Sequence, residues 1–273
     1  MCATIKHTFH LMKMSWDVLM LDKELLLFPV FSAISILILV VVFGGLGLLG
    51  DFSTQDGTTT ADSSLQVGMV VFVMLAYIIT TFFNASLVSA ALERLRGGDP
   101  DVGSGLSHAL KHAHHLVLWA IITATVTIVL AALRGAARRF PIAQILLRMV
   151  GGVWEFLTFF VVPVIVAEEQ GPISGIKRSA SIVRQTWGRQ ITASFSFIII
   201  YFVAAVVAII PAVLVGLVNV GAGVLLGVVL MAGALTVVQT LEGIFKAALY
   251  DYAVGLQPQG FDLPTLQMAY RPA

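Results

Sequence analysis

Long apolar runs are the feature of this sequence that most restricts its fold. A helix needs about 20 residues to cross a hydrocarbon core of about 30 Å. Six runs are long and apolar enough: residues 25–49, 65–92, 116–133, 141–167, 191–217 and 222–249. A helix also satisfies its own backbone hydrogen bonds in lipid. The sequence therefore predicts an all-α polytopic bundle of six transmembrane helices, forming one integral membrane domain over residues 1–273.

The composition agrees with an exterior that faces lipid. Charged residues make up 11% of the chain, whereas soluble proteins carry about 25%. The net charge of +1 gives no global field to attract a polyanion, so no nucleic-acid partner is expected. The single cysteine, Cys2, cannot form a disulfide within the chain. No cleavable signal peptide is expected, because the first apolar run begins near Leu25, after a polar-faced segment.

Lysine and arginine are distributed unevenly between the two sides that six spans would define. With the N-terminus inside, twelve of them fall in cytoplasmic segments and only Arg134, Arg138 and Arg139 fall outside. The first outer loop, residues 51–64, holds three aspartates and no basic residue. The positive-inside rule therefore predicts that both termini are cytoplasmic. The break between the last two runs is short and apolar, so one re-entrant element is an alternative to two spans there.

Each cytoplasmic segment carries an apolar stripe at helical spacing, which predicts three interfacial amphipathic helices on the cytoplasmic side. Asp99 is a candidate N-cap for the second helix with Pro100 at its first position, and Pro172 can open the third. The three stripes are Ile5, Phe9, Met12, Trp16 and Leu19; Val102, Leu106, Ala109, Leu110 and Ala113; and Ile173, Ile176, Ala180, Val183 and Trp187. Since each helix precedes two spans, the pattern also predicts a threefold repeat of topology.

Basic residues on the third interfacial helix are candidates for binding lipid headgroups. Lys177, Arg178 and Arg184 lie beside its apolar stripe. Cations at this position favour an anionic membrane surface.

Two charged residues in the fourth run are candidates for function because charge inside a bilayer is costly. Arg148 and Glu155 are two helical turns apart on one face, with Gly151 and Gly152 between them. They could serve a proton or ion path. Alternatively, Glu155 is neutral or hydrogen-bonded within the bundle, Arg148 extends outward, and the glycines allow close helix approach.

Further polar groups lie in the second and sixth runs. Gln239, Glu242, Lys246 and Tyr250 share one helical face, and Glu242 before Lys246 is the favourable order for an ion pair. The pair can anchor the helix or couple transport. Asn84 is expected to hydrogen-bond between helices, and Gly223 and Gly227 are spaced for close helix packing.

Three histidines on the second interfacial helix have a spacing that could bring them to one metal ion. His108, His112 and His115 are at i, i+4 and i+7. Lys111 would repel a cation and no acidic residue completes the set, so no metal site is predicted. The histidines are instead expected to contact water and headgroups. No catalytic or phosphate-binding motif is present in the sequence, so neither enzymatic activity nor a cofactor is expected.

Several short motifs resemble a known family. They are Phe82-Phe83-Asn84-Ala85, Arg94-Leu95-Arg96-Gly97-Gly98-Asp99-Pro100, Trp119-Ala120, Phe159-Phe160-Val161-Val162-Pro163-Val164, Gly171-Pro172, Lys177-Arg178-Ser179-Ala180 and Trp187-Gly188. Over nearly the whole chain they resemble a prokaryotic family of six-span membrane proteins known only as a domain of unknown function. The resemblance implies the plasma or inner membrane of a prokaryote and no site residues.

A looser similarity links the Lys-Arg-Ser segment, with the tryptophan after it, to the membrane domain that precedes some glycerophosphodiester phosphodiesterases. Their catalytic half has no counterpart here, so this similarity implies no catalysis.

The expected function is a non-enzymatic one. We expect an integral membrane protein that organises lipid or a partner protein at the cytoplasmic leaflet. Its partners would be membrane lipids and, in addition, a membrane protein or a second copy of the chain. The alternative is a small-solute or ion permease using Arg148, Glu155 and Glu242, which would need a polar cavity reaching the midplane around Glu155. A lipid-modifying enzyme would need polar residues converging at one interface, and the sequence shows no such set.

Overall fold

The computed structural model describes residues 2–51, 60–187 and 194–261, with side chains over 12–45, 67–185 and 200–261. These residues form helices and turns with no β-strand among them, which confirms the all-α prediction. A short 3-10 helix, Lys23–Leu26, lies between the first two α-helices. The helices are α1 (Cys2–Leu21), α2 (Leu27–Asp51), α3 (Thr60–Leu95), α4 (Val102–Lys111), α5 (Ala113–Ala136), α6 (Pro141–Leu157), α7 (Val161–Glu168), α8 (Pro172–Trp187), α9 (Ser194–Gly216) and α10 (Val220–Ala253).

Five helical segments of the described chain are long and apolar enough to cross a bilayer, which indicates a membrane-embedded protein. They are Lys23–Gly45, Val67–Leu95, Ala113–Ala136, Pro141–Glu168 and Val220–Ala253. They correspond to five of the six predicted spans. The predicted span 191–217 begins outside the described residues, and its described apolar part is the shorter Ile200–Gly216. At 1.5 Å per residue that part extends about 25 Å, so the predicted count of six is not confirmed.

The last two predicted spans are separate helices that pack against each other. α9 and α10 are joined by residues 217–219, and the Asn219 side chain caps α10 by accepting a hydrogen bond from the Ala222 N–H at 3.0 Å. A Cβ on Gly223 would lie 2.8 Å from the Ala212 carbonyl oxygen. A Cβ on Gly227 would lie 3.1 Å from that of Ala212. The predicted close packing at these two glycines is confirmed.

Contacts between residues divide the chain into two compact units. Unit 1 comprises Met1–Pro29, Leu87–Gly105 and Ser181–Ala273, and unit 2 comprises Val30–Ser86 and Leu106–Ala180. In unit 1, α1 and α9 each pack on α10, around buried side chains such as Leu19, Leu95 and Tyr250. In unit 2, α5 contacts α6 and α7, and its buried side chains include Leu116, Phe160 and Ile165.

The fourth predicted span is broken in two. α6 ends at Leu157, α7 begins at Val161, and a turn separates them. Pro163, in the first turn of α7, has no N–H to donate back toward the preceding helix. The break therefore leaves backbone groups that need other partners.

The start of α4 differs from the sequence prediction. Asp99 was expected to cap it, but the helix begins at Val102 and Asp101 accepts the Ser104 N–H. Asp99 instead pairs with Arg94, 2.6 Å from its guanidinium. The prediction for Asp99 was wrong because a nearby arginine competes for its carboxylate. Pro172 opens α8 as predicted.

Candidate lipid-contact site

The face that α8 turns toward the protein is not the predicted apolar stripe. Pro172, Gly175 and Ser179 are buried, whereas Ile173, a member of the stripe, is 67% exposed. A Cβ on Gly175 would meet the side chain of Val161 at 3.5 Å. A methyl group would make only ordinary van der Waals contact there, so this face of α8 packs on side chains of α7. Val183 of the stripe is buried as expected, and the Trp187 side chain lies outside the described residues.

The three candidate headgroup residues of α8 have different surroundings. Lys177 and Arg184 are exposed. The Arg178 Nε instead donates to both oxygens of Glu168, at 2.9 and 3.1 Å, and Gln170 Nε2 donates to the same carboxylate at 3.0 Å. Lys177 and Arg184 can meet a headgroup, while Arg178 holds α8 to the end of α7.

Ser179 is the hydrogen-bond partner of the backbone groups at the break between α6 and α7. Its hydroxyl donates to the Leu157 carbonyl oxygen at 2.7 Å and accepts the Phe160 N–H at 3.0 Å. Ser179 is fully buried. One side chain on α8 therefore supplies hydrogen bonds to two backbone groups at the break, the carbonyl at the end of α6 and the N–H just before α7. Spacing along the sequence gave no sign of this role, because Ser179 lies on α8, about 20 residues after the two groups that it contacts.

The predicted stripe of α4 is only partly buried: Ala109 is buried as expected, whereas Leu110 is not. Ala109 and His112 are buried, while Leu110 is 62% exposed beside the exposed Lys111. The prediction that all three histidines face water and headgroups was therefore wrong for His112. It failed because small and polar residues, not the largest apolar ones, fit against the neighbouring helices.

The histidines of α4 and α5 contact the end of α7. His108 Nε2 donates to the Val166 carbonyl oxygen at 3.2 Å. His112 Nε2 lies 3.9 Å from Glu169 Oε1 and has no hydrogen-bond partner among the described residues. Burial lowers the pKa of His112 and outweighs the attraction of Glu169. The described residues include no group of three His, Cys, Asp or Glu side chains arranged to hold a metal ion.

α1 presents the same kind of surface as α4 and α8. Met14, Val18 and Leu19 are buried. Trp16, assigned to the apolar stripe, is 42% exposed, and Lys13 is exposed one turn before it. The side chains of Ile5 and Phe9 lie outside the described residues.

Two arginines that sequence reasoning did not select form the main charged contacts of unit 1. Arg94, near the end of α3, pairs through two nitrogens with Asp22, which is 8% exposed. Arg96 donates to both oxygens of Asp251 at 2.7 and 3.2 Å, and the Asp251 side chain is 1% exposed. These hydrogen bonds raise the pKa of Arg96 above its ordinary value. Gly97, which follows Arg96, has φ +89°, a conformation that favours glycine.

The predicted ion pair of α10 is present and has a third member. Lys246 Nζ lies 2.7 Å from Glu242 Oε1, and the Tyr201 hydroxyl donates to Glu242 Oε2 at 2.7 Å. Tyr201 lies on α9, so the cluster joins two helices. Gln239 is exposed and Tyr250 is buried. Glu242 is therefore held by two partners of its own unit.

The remaining candidates lie on exposed faces. Arg148 and Glu155 are both exposed on α6, and Asn84, predicted to bond between helices, is instead exposed on α3. Gly151, between the two charged residues, is buried, whereas Gly152 is exposed.

Comparison with known proteins identifies a family and no further relatives. No curated protein and no solved structure matches the chain, so the similarity to the membrane domain of phosphodiesterases has no support. Residues 63–260 match a family described as of unknown function, DUF6159. The match includes α3 from residue 63 onward, α4 to α10, and the arginine, serine and histidine contacts described above except for Asp22, the partner of Arg94. The chain belongs to the DUF6159 family.

Proposed function

We propose that this protein is a non-enzymatic integral membrane protein that organises anionic lipid at the cytoplasmic leaflet. The observation that carries the proposal is an arrangement repeated on three helices. Each exposes a large apolar side chain next to a lysine: Trp16 with Lys13 on α1, Leu110 with Lys111 on α4, and Ile173 with Lys177 on α8.

This arrangement suits the boundary between headgroups and acyl chains. An exposed apolar side chain gains free energy by entering the acyl region, and a lysine beside it gains about 1 kcal/mol near an anionic surface. The buried faces of the three helices leave these side chains available. A tryptophan such as Trp16 is typical of the membrane interface.

Transport through Arg148, Glu155 and Glu242 has weaker support. Glu242 is bound by Lys246 and Tyr201, so its hydrogen-bonding capacity is largely used. Arg148 and Glu155 are exposed on α6 and are not buried within their unit.

Spin-labelled lipids test the proposal in the full-length protein. Reconstituted protein should restrict the motion of labelled phosphatidylglycerol more than that of labelled phosphatidylcholine. Replacing Lys13, Lys111 and Lys177 together with glutamine should reduce the excess of restricted phosphatidylglycerol over restricted phosphatidylcholine. The control is Arg139→Gln, which removes an exposed cation outside these helices and should preserve the selectivity. Unchanged selectivity in the triple variant would exclude the proposal.

The proposed topology has six spans with both termini in the cytoplasm, supported by the distribution of lysine and arginine. Single cysteines at positions 58 and 257, in a Cys2→Ser background, test it. Gln257 is suitable because it is exposed, whereas a Cβ on Gly260 would lie 2.9 Å from Val18. In intact cells an impermeant thiol reagent should label the Thr58→Cys variant and not Gln257→Cys. The reverse result would exclude this topology.

A further inference from the structure

The connection between α5 and α6 forms a cleft with a basic lining. Its volume is about 360 Å³, and it is lined by Ala131, Arg134, Gly135, Arg138 and Gln144. We propose that this cleft binds the phosphate group of an anionic phospholipid. The site is separate from the lipid contacts of α4, because it lies at the opposite end of the 24-residue helix α5, about 36 Å away along the helix axis.

The two arginines of the cleft are available to a ligand. Both are exposed, and no carboxylate of the described residues forms an ion pair with either one. Guanidinium groups present planar pairs of N–H donors that match phosphate oxygens. Two such groups at one cleft can neutralise a phosphate that neither would hold alone.

Gln144 fixes the geometry of the cleft. Its side-chain nitrogen donates to the Arg134 carbonyl oxygen at 2.7 Å, which ties α6 to the last turn of α5. The N-cap of α6, Phe140, supplies no side-chain acceptor to the free N–H groups of the first turn. The end of α5 and the start of α6 meet here with opposite dipole ends, so the positive charge of the cleft comes from its two arginines.

The guanidinium of Arg134 packs against Gly151. A Cβ at position 151 would lie 2.9 Å from Arg134 Nη2, so the guanidinium rests directly against the backbone of α6. A Cβ on the next residue, Gly152, would have no atom within 4 Å. Only the first of these neighbouring glycines is required for the position of Arg134.

The surroundings of the cleft favour a lipid over free phosphate. Leu133, Phe140 and Ile142, which flank the cleft in sequence, are 47%, 66% and 75% exposed. Acyl chains can cover such side chains, whereas inorganic phosphate cannot. The phosphate would bind the arginines and the chains would cover the apolar residues.

Native mass spectrometry of the full-length protein, titrated with phosphatidylglycerol in neutral detergent, tests the proposal. The wild-type protein should retain a phosphatidylglycerol adduct in preference to phosphatidylcholine. Arg134→Gln and Arg138→Gln should each weaken retention about tenfold, the effect of losing one charge-assisted contact. Gly151→Ala should weaken it in the same direction, because the end of the Arg134 side chain must move while the helix remains intact.

Two variants serve as controls. Gly152→Ala should retain lipid as the wild type does, and so should Arg139→Gln, which removes an exposed cation that does not line the cleft. Equal retention by the wild type, Arg134→Gln and Arg138→Gln would overturn the site. An equal loss in the two glycine variants would overturn the role of Gly151. Displacement of the lipid by an equal concentration of inorganic phosphate would overturn the assignment of a lipid ligand.

Discussion

The arginines at the end of α3 and those at the end of α5 occupy contrasting environments. Arg94 and Arg96 each pair with a buried aspartate of their own unit, Asp22 and Asp251. Arg134 and Arg138 line an open cleft with no carboxylate of the described residues beside them. Both pairs follow a long apolar helix, so their sequence contexts are similar.

The comparison shows that an arginine near the end of a span can serve either the fold or a ligand. A guanidinium paired with a buried carboxylate contributes chiefly by preventing an uncompensated charge. An unpaired guanidinium contributes little to folding and is free to bind an anion. Burial of the partner is what separates the two cases.

The sharpest test compares Arg96→Gln with Arg138→Gln. Arg96→Gln should lower the free energy of unfolding by about 3 kcal/mol, because the buried Asp251 carboxylate loses its partner. Arg138→Gln should change it by less than about 0.5 kcal/mol. Denaturation of the two variants by titrating SDS into mild-detergent micelles measures both values.

The double variant Arg96→Gln/Asp251→Asn serves as the control for this test. It removes the unpaired charge together with the arginine, so it should be more stable than Arg96→Gln alone. Equal stability of Arg96→Gln and Arg138→Gln would contradict the distinction between the two regions.

Ser179 extends the comparison to a neutral group whose partners are also buried. Ser179→Ala leaves the Phe160 N–H and the Leu157 carbonyl without this partner, and should lower the free energy of unfolding by about 2 kcal/mol. Ser181→Ala is the matched control, since among the described residues the Ser181 hydroxyl accepts a hydrogen bond only from Gln185 Nε2. Hydrogen exchange at the Phe160 amide should accelerate in the first variant alone. Equal exchange rates in the Ser179→Ala and Ser181→Ala variants would show that Ser179 does not stabilise the turn between α6 and α7.

His112 is an intermediate case, because its buried Nε2 has no hydrogen-bond partner within the described part of the chain. The smallest effect is expected there. Burial lowers its pKa in the folded protein, so below about pH 6.5 the unfolded chain binds more protons than the folded one. Stability should therefore be highest above that pH and decrease as the pH falls. His108, His114, His115 and Glu169 act on the same group.

Thermal unfolding midpoints between pH 8 and pH 5.5 measure this effect. His112→Gln should make the midpoint depend less on pH than in the wild type. His114→Gln, at an exposed position, should leave the pH dependence unchanged. An identical slope in the wild type and His112→Gln would assign the pH dependence to other groups.

Features set by local spacing could be predicted from the sequence. Long apolar runs located five spans, because length and hydropathy together define a helix in lipid. The pair Glu242 and Lys246 followed from a spacing of four residues, and the close packing at Gly223 from its small size.

Features set by tertiary packing could not be predicted in this way. The buried faces of α4 and α8 differ from the predicted stripes because hydrophobicity selects Leu110 and Ile173, which are exposed, whereas tertiary packing buries His112 and Gly175. The aspartate partners of Arg94 and Arg96 are 72 and 155 residues away. Spacing within one helix carries no information about such pairs.

The distance between Arg96 and Asp251 also has a consequence for the order of assembly. The two residues are separated by 155 positions, which a ribosome adding 5–20 residues per second covers in about 8 to 30 s. During that interval Arg96, directly after α3, lacks the carboxylate that neutralises it. The contact can form only once α10 has been synthesised to its last turn, so a chain truncated before Asp251 would present an unpaired cation as a signature of incomplete synthesis.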